Sequence, residues 1–464
     1  MNTPLAEATT PSLEALKAYS RAWKVLHTAG DAAALPFFKR AIDIDPKFAI
    51  AHAYLGRIYG DIGESELSAE NNTKAHQLRD RATDGEKFFI AATYDEQVTG
   101  NLEKAQETFE LWGQTYPREY EPPGLLSGAI YPVFGKYEKA IEQANRAIAL
   151  DPYVPFGYVN LATAYQFLVR LDEAEATYQL ANERKLEIPD MLGQRYDLAF
   201  LRGDKAEMEQ LVALGRGKAF SIPDHKALVL AYSGHLQQAR RTFRRAADLA
   251  KQAARRETAA LFEAGAAVLE AFSREFIRGE ARRDGGTESL QEPGCPVCRC
   301  VCTGLRGRIF PASDSGKRSG KALPRGHAVR FSYLPELRAL QALNHDEPAK
   351  AIEALQIAAP YELGTPVSFF GGLYPVYVRG EAYLDEHQGA EAAAEFQKIL
   401  DHRGIVANDP IGTLAHLQLG RALVLTGDKT KAKTAYQDFL TLWKDADPDI
   451  PIFKKAKVEY ARLQ

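Results

Sequence analysis

Cysteine is scarce in this 464-residue chain: four residues, all between Cys295 and Cys302. So tight a cluster cannot staple distant parts of a fold, which excludes a disulfide-framed secreted scaffold. Charge of one sign is missing too, since 58 Lys and Arg face 61 Asp and Glu, for a formal charge of -3. That balance gives no overall pull toward nucleic acid or anionic lipid. No apolar run approaches the ~20 residues that a membrane helix requires. The opening residues, MNTPLAEATTPS, lack the basic start and apolar core of a secretory signal. These absences lead to the expectation of a soluble, cytoplasmic chain with no membrane segment.

What is present is repetition. Leu55-Gly56 with Tyr59, Leu161-Ala162 with Tyr165, and Leu419-Gly420 with Gly427 mark helices built around small residues. Partner helices carry Ala34, Phe38, Ala41 and Pro46; Ala105, Phe109, Trp112 and Pro117; Ala140, Ala144, Ala147 and Pro152; and Ala432, Tyr436 and Phe439. Short turns marked by Gly or Asp join each pair, and Asp45-Pro46 and Asp151-Pro152 stop the second helix because a residue before Pro is pushed out of the helical region. The period is roughly 34 residues, lengthening to about 40 near the C-terminus, which is the signature of tetratricopeptide repeats. About ten helix pairs are recognisable by this pattern, weaker ones at Tyr196 to Leu214, Lys226 to Lys251 and Glu336 to Ala359. The expected fold is an all-α tetratricopeptide-repeat right-handed superhelix, an α-solenoid interrupted by one irregular segment.

In such arrays the first helices line a concave groove, and groove positions flank the Leu-Gly pair. Projection onto this chain gives Tyr19, Trp23, Arg57, Asn160, Thr163, Gln166, Tyr374, Tyr377 and Arg421. Aromatic rings and Arg suit binding hot spots, although the same rings also suit packing between repeats. A Lys/Asn/Arg clamp for a C-terminal carboxylate is not visible, so an extended or helical peptide fits better.

A narrower resemblance lies in ATTPSLEALKAYS leading into ALPFFKRAIDIDPKFAIAHAYLG, and in NLEKAQETFELWGQTYPRE, PAKAIEALQIAAPYELG, FQKILDHRGIV and YQDFLTLWKDADPDIP. These stretches resemble the repeat domains that follow serine/threonine kinase domains in certain bacterial proteins. The resemblance implies the sensor or docking half of a signalling kinase, or a stand-alone relative. No Gly-rich phosphate loop with a strand Lys, His-Arg-Asp loop or Asp-Phe-Gly motif is present, so kinase activity does not carry over.

The periodicity fails between Phe272 and Phe331, where Gly and Pro are too frequent for stacked helices. The expected organisation is a disordered leader over 1–12, a repeat array over 13–272, an irregular segment over 273–331 and a second array over 332–464. Within the segment, Cys295, Cys298, Cys300 and Cys302 form a potential zinc chelate, although structural sites usually space two Cys-x-x-Cys knuckles across a longer loop. The preferred reading is translational. Every Cys codon read one nucleotide later encodes Ala or Val, and GCPVCRCVCTG then permits AARYAVAFAL, an Ala-rich repeat helix. GKRSGKALP and ARRDGGTESLQ permit repeat-like sequence under the same shift. A true insertion and a metal site stay open beside it. GKRSGKA echoes a phosphate loop but has too few residues between its glycines. The Arg-rich run from Arg274 to Arg330 lacks interleaved stacking aromatics. Replacing repeats with coil should split the array, lower its cooperativity and invite proteolysis there.

The functional expectation is a non-catalytic protein-interaction scaffold with a protein or peptide partner, no nucleic acid and no cofactor. The alternatives are a metal-responsive module through the cysteines and an enzyme with an unrecognised site. His225, His235, His345, His387 and His402 fall at expected turns or helix ends and form no catalytic constellation. The DNA offers the first test. Codons 268 to 335 should contain the missing repeat in the shifted frame, and a coding sequence that forbids those peptides ends the frame-shift reading.

Overall fold

A computed structural model of the chain describes residues 9–215, 221–253, 255–273, 334–365 and 372–464. The described residues form helices and turns without strands. In order, the pairs are α1 (Leu13–Ala29) with α2 (Asp31–Ile44), α3 (Ala49–Asp61) with α4 (Ser65–Gln77), α5 (Asp84–Tyr94) with α6 (Leu102–Thr115), and α7 (Glu121–Leu125) with α8 (Tyr137–Leu150). Next come α9 (Pro155–Phe167) with α10 (Leu171–Glu183), α11 (Met191–Arg202) with α12 (Lys205–Leu214), and α13 (Ser221–Tyr232) with α14 (Leu236–Gln252). Then α15 (Arg256–Ser273) is followed by α16 (Leu334–Asn344) with α17 (Pro348–Leu355), α18 (Tyr374–Asp385) with α19 (Gly389–Asp401), α20 (Pro410–Leu425) with α21 (Lys429–Leu442), and a final α22 (Pro451–Ala461). Helices α5 and α7 each run on into a wider π-helical turn, at Asp95–Thr99 and Leu126–Ile130. The architecture is an all-α tetratricopeptide-repeat solenoid.

The small residues do what their spacing requires. Ala34, Phe38 and Ala41 of α2 are fully buried, as are Ala105 and Phe109 of α6, Ala140 and Ala144 of α8, and Ala432 and Phe439 of α21. At the crossing of α20 and α21 a methyl group on Gly420 would come within 2.8 Å of the Tyr436 ring. Adding bulk at so close a crossing typically costs about 1–3 kcal/mol.

Turns inside the pairs share one device: a residue with left-handed backbone. Glycine fills it at Gly30, Gly63, Gly100, Gly135, Gly203, Gly234 and Gly427. Val169 (φ 60), Asp346 (φ 57) and His387 (φ 59) fill it elsewhere. For Val169, a β-branched residue, that conformation is strained by about 1–2 kcal/mol.

The chain divides into two compact units, whose described parts are 9–198 with 213–215, and 199–212 with 221–253, 255–273, 334–365 and 372–464. In the first unit, residues 9–12 of the leader already belong to the fold. Thr10 is fully buried and donates to Asp45 over 2.6 Å, and Ser12 caps α1 through Ala15 N. The core runs from α1 to α9, with Tyr54 stacked on Phe89 at 4.3 Å. Its start also meets its far end: a methyl group on Gly30 would collide with the Asp190 carboxylate, and His27 lies 3.3 Å from the Tyr120 hydroxyl.

The second unit closes in the same way. Tyr232 O accepts hydrogen bonds from Thr413 Oγ1 and Trp443 Nε1, both 2.9 Å. Asp447 N donates to Gly234 O at 3.0 Å, and the Asp447 carboxylate accepts from Gln237 N at 2.9 Å. Asp447 thereby caps α14 from 210 residues away, in place of His235, whose side chain makes no capping bond. Asn408 Nδ2 adds a 3.4 Å bond to His225 O. The block before residue 273 and the block after residue 333 are therefore tied together directly at this clasp.

The cysteine cluster and the proposed out-of-frame stretch lie outside the described residues, and the sequence-based division at 272 and 332 stands as a proposal. The clasp gives it a sharper form. Limited proteolysis between Arg274 and Arg330 should yield two fragments that co-elute in gel filtration. Trp443→Ala, which removes a buried ring at a cost of about 3–5 kcal/mol, should make the nicked halves separate. Separation of the nicked parent protein would show that the clasp does not hold.

Candidate functional site

The expected groove positions sit on first helices, and the structure shows what their polar groups do. They reach from one first helix to the next. Arg57 on α3 pairs with Glu96 in the π-turn after α5 at 2.8 Å, and with Asp61 on its own helix at 3.0 Å. Burial opposes the Arg57 charge, but the Asp61 and Glu96 carboxylates more than offset it and the guanidinium is held protonated. Asn160 on α9 donates to Gly124 O and Ser127 Oγ, at 3.0 and 3.2 Å, beside the second π-turn. Arg421 on α20 grips both oxygens of Glu459 on α22, at 2.9 and 3.1 Å. Gln418, one turn earlier, donates to Tyr377 OH and Glu381 on α18. These partners lie 33 to 41 residues apart, one repeat, and they form a ladder across successive first helices.

The nine positions do not form one cluster. Tyr19 and Trp23 lie together, ring centroids 6.5 Å apart, in an aromatic group with Phe38, Phe48 and Tyr54. Both are half-buried. Asn160 and Thr163 are half-buried on α9, but the Thr163 hydroxyl is turned inward beside Tyr178 of α10, and Gln166 is buried with its Oε1 lacking a hydrogen-bond partner among the described residues. Tyr377 is buried edge-on to Phe396. Tyr374 is buried and donates to both oxygens of Asp409 at 3.0 Å. Arg57 and Arg421 keep only a modest exposed edge.

Sequence reasoning missed the acceptors: Glu96, Ser127, Asp409, Glu459 and the cluster of Glu362, Arg379, Glu395 and Lys398. In that cluster the buried Arg379 is flanked by Glu362 at 2.8 Å and by Glu395, while Lys398 reaches Glu362 at 2.9 Å. Complementary polar residues one repeat apart on first helices were the available signal. His225 lies inside α13 rather than at a helix end, because α13 begins at Ser221; His387 occupies a left-handed turn, and His402 holds Lys398 O at 2.7 Å.

Among the described residues no group of three or more His, Cys, Asp or Glu is placed to hold a metal ion. No helix among them is long and apolar enough to cross a membrane.

No family model and no curated protein matches the chain. Among solved structures it is similar to the APC/C hetero-tetramer Cut9-Hcn1, at 14% identity over 99% of this chain and 86% of that chain, with a TM-score of 0.48. It is similar to the human IFIT1 dimer with PPP-AAAA at 13% identity, over 93% and 91% of the two chains, TM-score 0.37. It is also similar to the P58(IPK) TPR domain at 12% identity, over 97% and 98%, TM-score 0.20. None of these likenesses bears on what the chain binds.

Asp409 gives the region a pH dependence. It caps α20 through Ile411 N, and burial pushes its carboxyl up to about 6, against the pull of the Ile411 amide and the Tyr374 hydroxyl. Burial and then the Asp409 charge push the Tyr374 phenol up, so Tyr374 remains the donor. An acid whose pKa is higher folded than unfolded takes up its proton more readily in the native state. Its stabilising contribution is complete below the unfolded value near 3.8 and is lost as pH rises through about 6. Urea unfolding at pH 7 and pH 5 should show a gain on the order of 1 kcal/mol from this group on acidification. Asp409→Asn, which keeps a capping oxygen, should lose that gain; identical pH slopes for the two proteins would remove Asp409 from the account.

Proposed function

We propose that this chain is a non-catalytic protein-interaction scaffold that holds a peptide or protein segment against its first helices. The observation that supports the reading is the ladder. Side chains one repeat apart lock neighbouring first helices together, so the half-exposed groups beside them are presented on a surface ordered before any partner arrives. Preorganisation of this kind lowers the entropic cost of binding. Trp23 and Tyr19 in one stretch, and Asn160 in another, are the partly exposed positions through which the contact would be made; Arg57 and Arg421 border such surfaces. Among the described residues several buried carboxylates are engaged in structure, Glu96 by Arg57, Glu362 and Glu395 by Arg379, and Glu459 by Arg421.

The resemblance to repeat regions that follow bacterial serine/threonine kinase domains supports a finer version, in which the scaffold is the sensor or docking part of a signalling kinase. Kinase coding sequence directly upstream in the gene would support that version.

A photo-crosslinking aromatic residue in place of Trp23, half-buried on α1, should capture a partner saturably. The same residue at the exposed Asn145 of α8 should not. Trp23→Ala should weaken binding of that partner at least ~10-fold, as expected when a binding hot spot is removed, while the helical circular dichroism signal is retained. Equal capture from both faces would sink the assignment of the binding surface.

A further inference from the structure

The second helices differ in charge, and α14 is the one most crowded with arginine; α21 bears Lys429, Lys431 and Lys433 against Asp438. Helix α10 (LDEAEATYQLANE) bears acids alone, and α6 bears Glu103, Glu107 and Glu110 against Lys104. Helix α14 (LQQARRTFRRAADLAKQ) carries Arg240, Arg241, Arg244, Arg245 and Lys251 against the single acid Asp248. Its apolar side is fully committed, with Leu236, Ala239, Phe243, Ala246, Ala247 and Ala250 buried. Arg241, Arg244 and Arg245 are exposed, and no carboxylate lies within 4.0 Å of any of them among the described residues. They stand at i, i+3 and i+4, hence on one strip of the helix surface. Lys251, further along, is already paired with Glu263 at 2.6 Å.

Uncompensated guanidinium groups at helical spacing are complementary to carboxylates at the same spacing on a second helix, because each Arg fork can take one carboxylate. Base stacking would need exposed rings. The exposed large apolar side chains in the described part of this unit are Ile357, Val424, Leu425 and Val458, none of them aromatic.

We propose that Arg241, Arg244 and Arg245 form a second docking face on the second-helix side of this unit, and that its occupant is an acidic helical segment of a partner protein. This face is separate from the first-helix surface and does not depend on that reading.

The test uses the full chain and three fluorescein-labelled, alanine-based helical peptides. One has Glu at i, i+3 and i+4 repeats along one face, one has the same residues spread over all faces, and one has Gln for Glu. The one-face Glu peptide should bind at least ~10-fold more tightly than either of the others, and added salt should weaken it, as expected for exposed charges. The triple variant Arg241→Ser, Arg244→Ser, Arg245→Ser, with an unchanged helical melting curve, should lose at least ~10-fold of that affinity. Lys39→Gln with Arg40→Gln on α2 should leave it unchanged. Equal binding of the two Glu peptides, or full affinity in the triple variant, overturns the proposal. So do arginine-dependent binding that is tighter for single-stranded oligonucleotide or anionic vesicles than for the peptide, and concentration-dependent self-association that the triple variant abolishes, since each names a different occupant.

Discussion

A pair of short helices has two apolar faces and can cover only one of them. Everything else in this structure answers that constraint. Helix α2 buries Ala34, Phe38 and Ala41 against its partner, and the face left over is covered by α3; the same step recurs along each unit. Small residues make the step possible, because backbones must come close for one pair to seal the next. Stability is then shared among neighbours, and the ends of each stack become its weak points. The chain answers this too, by bringing the start of each unit against its own far end. Gly30 lies against Asp190 in one unit, and Gly234 lies against Trp443 and Ala446 in the other. At both places the residue is a glycine with positive φ, where a side chain would be blocked sterically as well as strained.

The same economy governs the polar residues on the first helices. A guanidinium or amide on a solenoid's inner side can hold the next repeat or hold a ligand, and a group spent fully on one task has little left for the other. Arg57 and Arg421 are engaged bidentately or by two carboxylates, at distances and burial that make removal of either partner costly. What remains for binding is narrower than the pattern of residue types implies: half-exposed rings and small polar groups held beside those bridges. Rigid support beneath a few exposed groups is how a surface with modest chemistry achieves specificity.

The repeat itself was legible from sequence for a physical reason. Buried small residues at helical spacing and a helix stop at Asp-Pro are local requirements, met within each 34-residue period, and they recur in Ala34, Ala105, Ala140 and Ala432. The turn residue was legible only where it is Gly or Asp. Val169 and His387 occupy the same left-handed position, and nothing in a propensity table assigns it to them. The candidate site was legible in residue type but not in role. Tyr377 looks like a hot spot and is a core ring, because whether an aromatic faces solvent or the next helix depends on the rotation of the helix, which the neighbouring repeat decides. The capping of α14 by Asp447 was out of reach altogether. Its two halves are 210 residues apart, and neither carries a local signature, since His235 stands where a cap would be sought.

That remote cap changes how the loss of repeat periodicity in the sequence over 273–331 bears on the rest of the molecule. In a linear stack, a break leaves two blocks that interact only through the chain between them. Here α13 packs on α20, Trp443 donates to Tyr232 O, and Asp447 closes the start of α14, so the second block covers a face that the first would otherwise leave to water. The coupling runs both ways. A change that loosens α20 and α21 removes the cap from α14 and disturbs the helix that bears Arg241, Arg244 and Arg245. Loss of α14 in turn leaves Trp443, buried in the intact fold, without part of its cover. The second unit therefore keeps its geometry by spatial return rather than by sequence continuity, and its basic face is only as well ordered as the clasp that closes it.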